Sequence, residues 1–174
     1  ELEGKTIGIL GLGRLGAKVA GYARAFGMKV LAYDTNEGIG LDGVANVPLK
    51  ELTEKSDIVS IHIPSTKENR HFVGAEFLSH LKPQALLINT ARGDVLDQAA
   101  LFQALTHGRI AGAALDVLEE EYEGDLQASP LIAFARNNSN VVITPHIGGA
   151  TYESMDKTEM FMAQKLQKHL ASRA

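Results

Sequence analysis

Short apolar runs alternate along the chain with stretches in which apolar residues recur every three or four positions. Residues 5–10 (KTIGIL) read as a strand. From Leu15 onward, Leu15, Val19, Tyr22, Ala23 and Phe26 share one helical face, and Gly27 suits the C-terminal cap. Residues 28–33 form a second strand and residues 44–47 a short third. Residues 49–55 read as a short helix. Residues 57–63 (DIVSIHI) are a buried strand that stops at Pro64, and residues 74–81 are helical with Pro83 just beyond. Residues 85–89 (ALLIN) are the next strand. Asp97 can cap a helix whose face carries Leu101, Ala104 and Leu105 and which ends at Gly108. Residues 110–117 and 141–144 are strands, and a long helix starts at about Thr151. Residues 119–140 are the least regular stretch and read as a loop with one helical turn near residues 131–136.

Strands alternating with helical patterns argue for parallel βαβ units. One open, doubly wound parallel α/β sheet of six or seven strands accounts for the whole chain as a single domain. In such sheets ligands lie beyond the carboxyl ends of the strands. The residues directly after each strand are therefore the ones with chemistry to offer: Gly11 to Gly16, Asp34, Pro64, Thr90 to Arg92, Asp116 to Glu121, and Pro145 to Gly149.

Composition narrows the classes. A chain of 174 residues with 45% hydrophobic content can bury a sizeable core. A formal charge of −4, without a Lys/Arg cluster, offers no surface for nucleic acid. The absence of cysteine excludes disulfides, thiolate metal sites and cysteine nucleophiles. His71, His80, His107 and His169 show no metal-ligand spacing, so no metal is expected. The apolar runs are too short to span a bilayer. These features lead to the expectation of a soluble cytoplasmic protein.

The first strand runs into Gly11-Leu12-Gly13-Arg14-Leu15-Gly16, and the second ends at Asp34. Gly11 permits a tight turn, Gly13 lets the backbone approach a pyrophosphate, and Gly16 lets the helix pack close to the sheet. The helix then presents unpaired N–H groups to phosphates. Asp34 stands where a carboxylate accepts hydrogen bonds from the adenosine ribose. It repels a 2′-phosphate, and Thr35-Asn36 supply no arginine to receive one, so NAD is expected over NADP.

Three further segments are Asn89-Thr90-Ala91-Arg92-Gly93, Ala114-Leu115-Asp116-Val117 with Glu119-Glu120-Glu121, and Thr144-Pro145-His146-Ile147-Gly148-Gly149. Arginine, glutamate and histidine at one sheet edge suit reduction of a 2-keto acid. Arg92 can clamp the substrate carboxylate bidentately. His146 can protonate the keto oxygen and serve as base in the reverse direction. A carboxylate behind the imidazole would orient it and favour its protonated form. Spacing favours Glu121 for this part, with Glu120 open. Asp116 is placed to meet the nicotinamide carboxamide.

These motifs, with His62-Ile63-Pro64, resemble the NAD-binding domain of the D-isomer-specific 2-hydroxyacid dehydrogenases over nearly the whole chain. The resemblance implies a Rossmann-type fold and hydride transfer between NAD(H) and a 2-hydroxy or 2-keto acid. It implies that Arg92, Glu121 and His146 match the family's catalytic trio. It also implies that Arg14, Leu15, Asp34, Pro64, Thr90, Asp116 and Gly148 line the cofactor site, with Ala91, Arg92, His146 and Gly149 in the same motifs. Tyr122 stands where the family usually has proline after the catalytic glutamate.

The resemblance further implies that residues 1–150 are the dinucleotide-binding domain. Residues 151–174 form a helix leading back to a substrate domain absent from this chain. Paired nucleotide domains would form a homodimer. Met155, Met160, Phe161, Met162, Leu166 and Leu170 on that helix are expected to pack into the core, or to meet the missing domain or a second subunit where exposed. The alternative function is that of an NAD(H)-sensing, corepressor-like interaction protein on the same fold.

Overall fold

The computed structural model describes residues 1–36, 38–119, 121 and 126–172, with Gln127 described by its backbone alone. Seven strands and six helices follow one another as β1 (Thr6–Leu10), α1 (Arg14–Ala25), β2 (Lys29–Tyr33), β3 (Ala45–Asn46), α2 (Leu49–Lys55), β4 (Ile58–Ile61), α3 (Ala75–Ser79), β5 (Leu86–Asn89), α4 (Gln98–Thr106), β6 (Gly112–Leu115), α5 (Pro130–Asn137), β7 (Val141–Ile143) and α6 (Tyr152–Ala171). All seven strands are parallel, in the order β3-β2-β1-β4-β5-β6-β7. The chain winds outward from β1 to β3, then returns to the other side of β1 with β4. The switch point therefore lies between β1 and β4, where the first glycine turn leaves the sheet.

The central strands are buried on both faces. Ile7, Ile9 and Leu10 in β1 and Val59 and Ile61 in β4 are buried, which is how a parallel sheet flanked by helices reads. One core cluster joins Leu52, Phe77, Leu87, Leu101, Leu105, Leu115 and Leu131 beneath α2 to α5. A smaller one joins Ile7, Ile9, Val30 and Ala32 to Ala20 and Ala23 of α1.

Helix ends follow local chemistry. The Asp97 carboxylate accepts from Ala100 N, Ser129 Oγ from Ile132 N and Thr151 Oγ1 from Ser154 N. Gly27 takes φ +72° just past α1. The irregular stretch carries a longer helix than its pattern indicates, because Ser129 caps it and Pro130 opens it.

Two expected faces are corrected. Helix α1 turns Gly16, Ala20 and Ala23 inward, with Val19 partly buried, while Leu15, Tyr22 and Phe26 are exposed. The reason is proximity: a Cβ on Gly16 would sit 2.0 Å from the Gly11 carbonyl oxygen, so only small residues fit against the sheet there. The second correction is α6. None of its residues is buried, and Met155, Met160, Phe161, Met162, Leu166 and Leu170 are all exposed, so they take no part in this core. Among the described residues, no helix is long and apolar enough to cross a membrane.

Asp57 ties the β1 edge to β5. Its carboxylate accepts from Thr6 N and Lys82 Nζ, each at 2.8 Å, and its carbonyl accepts from Leu86 N. The Lys82 hydrogen bond, then that of Thr6, hold its pKa below the usual carboxylate value. This contribution is complete above pH of about 4 and is lost as the pH falls through the lower folded value. Asp57→Asn is therefore expected to flatten the acid limb of stability. The check is urea unfolding of both proteins between neutral pH and pH of about 3.

Candidate active site

The loops that follow β1, β2 and β4 to β7 emerge at one edge of the sheet. Gly11, at φ +94°, makes the first turn, and its amide donates to Tyr33 O at 2.8 Å. A Cβ there would meet the His62 carbonyl at 2.9 Å, so the loops after β1 and β4 lie in contact. Gly13 is the N-cap of α1. It makes no side-chain cap, and a Cβ on it would point into open space. The first N–H groups of a twelve-residue helix thus face an open cradle with no acidic residue in the first turn. That cradle fits a pyrophosphate.

Asp34 Oδ2 accepts from Leu12 N at 2.8 Å and Oδ1 from Asn36 N at 2.9 Å. The carboxylate is thereby fixed beside the glycine turn, with acceptor capacity remaining for ribose hydroxyls. Arg14 and Leu15 are exposed at the start of α1, and Pro64 is exposed after β4, its carbonyl accepting from Asn69 Nδ2. Burial lowers the pKa of His62, whose Nε2 lies 2.9 Å from Ser60 Oγ. It belongs to the wall between the β1 and β4 loops.

Asn89, Leu115 and Ile143 are register partners on β5, β6 and β7. Thr90, Asp116 and Thr144 therefore leave the sheet at one level, with strands about 5 Å apart. Asn89 is fully buried and shapes the next turn: its Oδ1 accepts from Ala91 N and its Nδ2 donates to Arg92 O. Thr90 and Arg92 are exposed. Arg92 Nη1 donates to Ala91 O, and no carboxylate pairs with its guanidinium among the described residues. Gly93 presses on the next loop, where a Cβ would lie 2.1 Å from the Leu118 carbonyl carbon.

Asp116 is buried and organises the last loop. Its Oδ1 accepts from Thr144 Oγ1 at 2.6 Å and Ile147 N at 2.9 Å, and its Oδ2 accepts from Gly148 N at 2.8 Å. Burial opposes the charge. The Thr144 hydroxyl, the two amides and the neighbouring His146 outweigh it, and the pKa falls below the ordinary value. The loop so held carries His146 at φ +53°, a left-handed backbone that costs a non-glycine residue about 1–2 kcal/mol. His146 Nδ1 lies 2.8 Å from Glu121 Oε1. Glu121 Oε2 accepts from Leu118 N at 3.3 Å. Glu119 is engaged elsewhere, by Arg70 and His71. Glu120 and Tyr122 lie outside the described residues. The side chain of Glu121 is 16% exposed and that of His146 36%, so the pair is half-shielded with an open side.

The sheet edge thus brings together the glycine turn with Asp34, and separately Asp116, Gly148, Glu121 and His146, with Arg92 one strand away from Asp116. Gly149 is exposed beside Gly148, and a Cβ on it would meet nothing within 4 Å. A cleft of about 380 Å³ borders Asp116, Glu121, Ile143 and His146, but neither Arg92 nor the glycine turn lines it. Sequence reasoning assigned no part to Asn89 and Thr144. The signal for Asn89 was a polar residue closing an otherwise apolar strand. Thr144 gave no signal of its own, because its partner is 28 residues away.

The model of the D-isomer specific 2-hydroxyacid dehydrogenase NAD binding domain matches residues 1–148. The glyoxylate reductase of Korarchaeum cryptofilum is 43% identical over 170 residues, covering 95% of this chain and 49% of that protein. The chain therefore spans about half the length of this relative. The crystal structure of D-lactate dehydrogenase from Aquifex aeolicus complexed with NAD and lactic acid superimposes with a TM-score of 0.86 at 36% identity, over 99% of this chain and 55% of that one. An acyclic imino acid reductase in complex with NADPH and D-Arg superimposes with a TM-score of 0.89 at 36% identity, over 99% and 53%. With its doubly wound sheet, its glycine turn and a family match over most of its length, this chain belongs to the D-isomer specific 2-hydroxyacid dehydrogenases, as an NAD-binding domain.

Proposed function

We propose that the protein to which this chain belongs is an NAD-dependent D-2-hydroxyacid dehydrogenase acting on a small 2-keto or 2-hydroxy acid. The observation that carries the reading is the 2.8 Å contact of His146 Nδ1 with Glu121 Oε1, on the loops next to the one that presents Arg92. Bound NADH would supply the hydride from the nicotinamide. Arg92 holds the substrate carboxylate through two parallel N–H donors. His146, oriented through Nδ1 by Glu121, delivers a proton from Nε2 to the keto oxygen as negative charge grows there. In the oxidative direction neutral Nε2 takes the hydroxyl proton, and Glu121 stabilises the imidazolium that results. Asp116 keeps the histidine loop in place and retains one acceptor site for the carboxamide.

In this reading Arg14, Leu15, Gly16 and Asp34 hold the adenosine and pyrophosphate. Pro64, Thr90, Ala91, Gly148 and Gly149 border the nicotinamide end. The chemistry is tested by following NADH absorbance with the full-length protein and glyoxylate, pyruvate, hydroxypyruvate and branched 2-keto acids. Absence of turnover with every member of the set would reject it. No observation favours the corepressor-like alternative.

Coenzyme choice follows from Asp34. Its tethered carboxylate would lie against a 2′-phosphate, so KM for NADPH is expected to exceed that for NADH at least about tenfold. Asp34→Ser is expected to narrow the ratio. Equal KM values in the parent protein would contradict the assignment.

Residues 1–150 are proposed as the coenzyme domain and α6 as the helix leading to a substrate domain. The half-length match and the exposed apolar residues of α6 support this. A cytoplasmic homodimer is proposed on the cysteine-free acidic composition and the exposed Tyr22 and Phe26 of α1. Light scattering of the full-length protein checks the dimer.

A further inference from the structure

We propose that His71, together with Arg70, is a positioning residue for the Glu121–His146 pair, acting through Glu119. The inference rests on the dehydrogenase reading above. Among the described residues only two non-glycine residues have a left-handed backbone, His71 and His146, each at φ +53°. They stand on different loops, after β4 and after β7. Both rings nevertheless end on carboxylates of one short segment: His71 Nε2 on Glu119 Oε1 at 2.6 Å and His146 Nδ1 on Glu121 Oε1 at 2.8 Å. Backbone held in such a conformation persists only where its surroundings impose it.

The described residues of that segment are held by further bonds. Glu119 also accepts from Arg70 Nη2 at 2.8 Å, and its amide donates to Gln98 Oε1 at 3.0 Å. Leu118 N donates to Glu121 Oε2. His71 is itself anchored: its amide donates to Asp94 O at 2.8 Å, and Ser65 Oγ donates to Asp94 Oδ2 at 2.6 Å. A chain of contacts therefore runs from the β4 loop through the β5 and β6 loops to the reacting imidazole.

An exposed ion pair usually contributes little, and the side chains of His71 and Arg70 are 38% and 60% exposed. Glu119 differs, at 18% exposed, with Arg70 and His71 both meeting one of its oxygens and with a tethered amide. Its carboxylate cannot swing away without abandoning both. Loosening Glu119 loosens the adjoining Leu118 amide that holds Glu121 Oε2, and a displaced Glu121 no longer meets His146 Nδ1 in the same geometry. His71 also lines, with Lys50, Glu76 and His80, the groove between α2 and α3, and Asp94 stands at its amide.

The test reads the histidine first, then the rate. The uniformly 15N-labelled full-length protein is compared as parent, His71→Ala, Glu119→Gln and Glu121→Gln by NMR of the histidine ring nitrogens and the backbone amides. The expected result is that His71→Ala and Glu119→Gln shift the His146 ring signals toward those of Glu121→Gln, while amide signals of residues 11–16 stay in place. His146 signals coincident with the parent in both variants overturn the proposal. Glu119→Gln keeps the shape of the side chain and decides the matter should His71→Ala unfold.

In the full-length enzyme, His71→Ala is expected to lower kcat about tenfold with NADH KM unchanged, and to add no further loss to Glu121→Gln. Full additivity of the two losses overturns it. A parent protein that reduces no keto acid would sink the dehydrogenase reading, and the ring signals would still decide the coupling.

Discussion

Replacing His146 with alanine in the full-length enzyme is expected to lower kcat for 2-keto acid reduction by about two to four orders of magnitude, with NADH binding retained. The size follows from the part assigned to the ring. Hydride arrival leaves charge on the keto oxygen, and without a positioned donor the proton must come from water. The glycine turn and Asp34, which hold the adenosine and pyrophosphate in this reading, follow β1 and β2, whereas His146 follows β7 at the far side of the sheet, so coenzyme affinity should be largely kept. Arg92→Ala should behave differently, raising the substrate KM as well as lowering kcat, because the carboxylate clamp acts in both ground and transition states. Glu121→Gln should fall between, since it keeps a hydrogen-bonding group at Nδ1 but removes the charge that stabilises the imidazolium. Stopped-flow and steady-state rates at saturating NADH check the series. A His146→Ala enzyme that turns over near the parental rate would remove the acid/base assignment altogether.

The second large effect is expected at Asp116. Asp116→Ala leaves Ile147 N, Gly148 N and the Thr144 hydroxyl without their acceptor around a buried carboxylate, with Ile147 and Gly148 themselves exposed. Orphaned donors of this kind cost on the order of 1–3 kcal/mol each, part of it recovered by water at the exposed Gly148. A net loss of about 3 kcal/mol lowers the melting temperature on the order of 10 °C for a chain of this size. The loss also has a pH signature. The folded pKa of Asp116 is depressed, so its stabilising contribution is complete above the unfolded value of about 3.9 and fades as the pH falls through the folded one. The parent and Asp116→Ala should therefore differ most near neutrality and converge in acid. Calorimetry of both across that range is the check, and a constant difference down to strongly acidic pH would count against the charged state as the cause. Because the same carboxylate pins the loop carrying His146, activity in the full-length enzyme should drop along with stability.

The two sites show what kinds of information a linear sequence holds. The glycine turn was legible because its parts are local. The strand, the turn, the small residues of α1 and the carboxylate at the end of β2 all lie within 34 residues, and each has a backbone reason to be there. The alternation of strands and helices, the cap at Asp97 and the glycine that closes α1 were readable for the same reason. The polar residues after each strand identified the working edge of the sheet, because a parallel sheet puts all its carboxyl ends on one side.

Pairing between distant loops was not legible. Spacing favours Glu121 among three consecutive glutamates and leaves Glu120 open, and only the folded chain sends Glu119 to His71 and Arg70 and Glu121 to His146, 25 residues on. Spacing placed Asp116 near the coenzyme, but its three bonds to the loop at Thr144, Ile147 and Gly148 depend on β6 and β7 lying side by side. The face of α1 was misread because large apolar residues dominate a periodicity, whereas the close approach of Gly16 to Gly11 selects small ones. The α6 stripe was apolar enough for a core yet meets none among the described residues. Local propensity and pattern thus determined the elements, their order and the phosphate cradle. Tertiary contact decided which carboxylate meets the imidazole, a pairing that spacing only favoured, and which apolar faces are buried, because those depend on distances between segments that no local rule specifies.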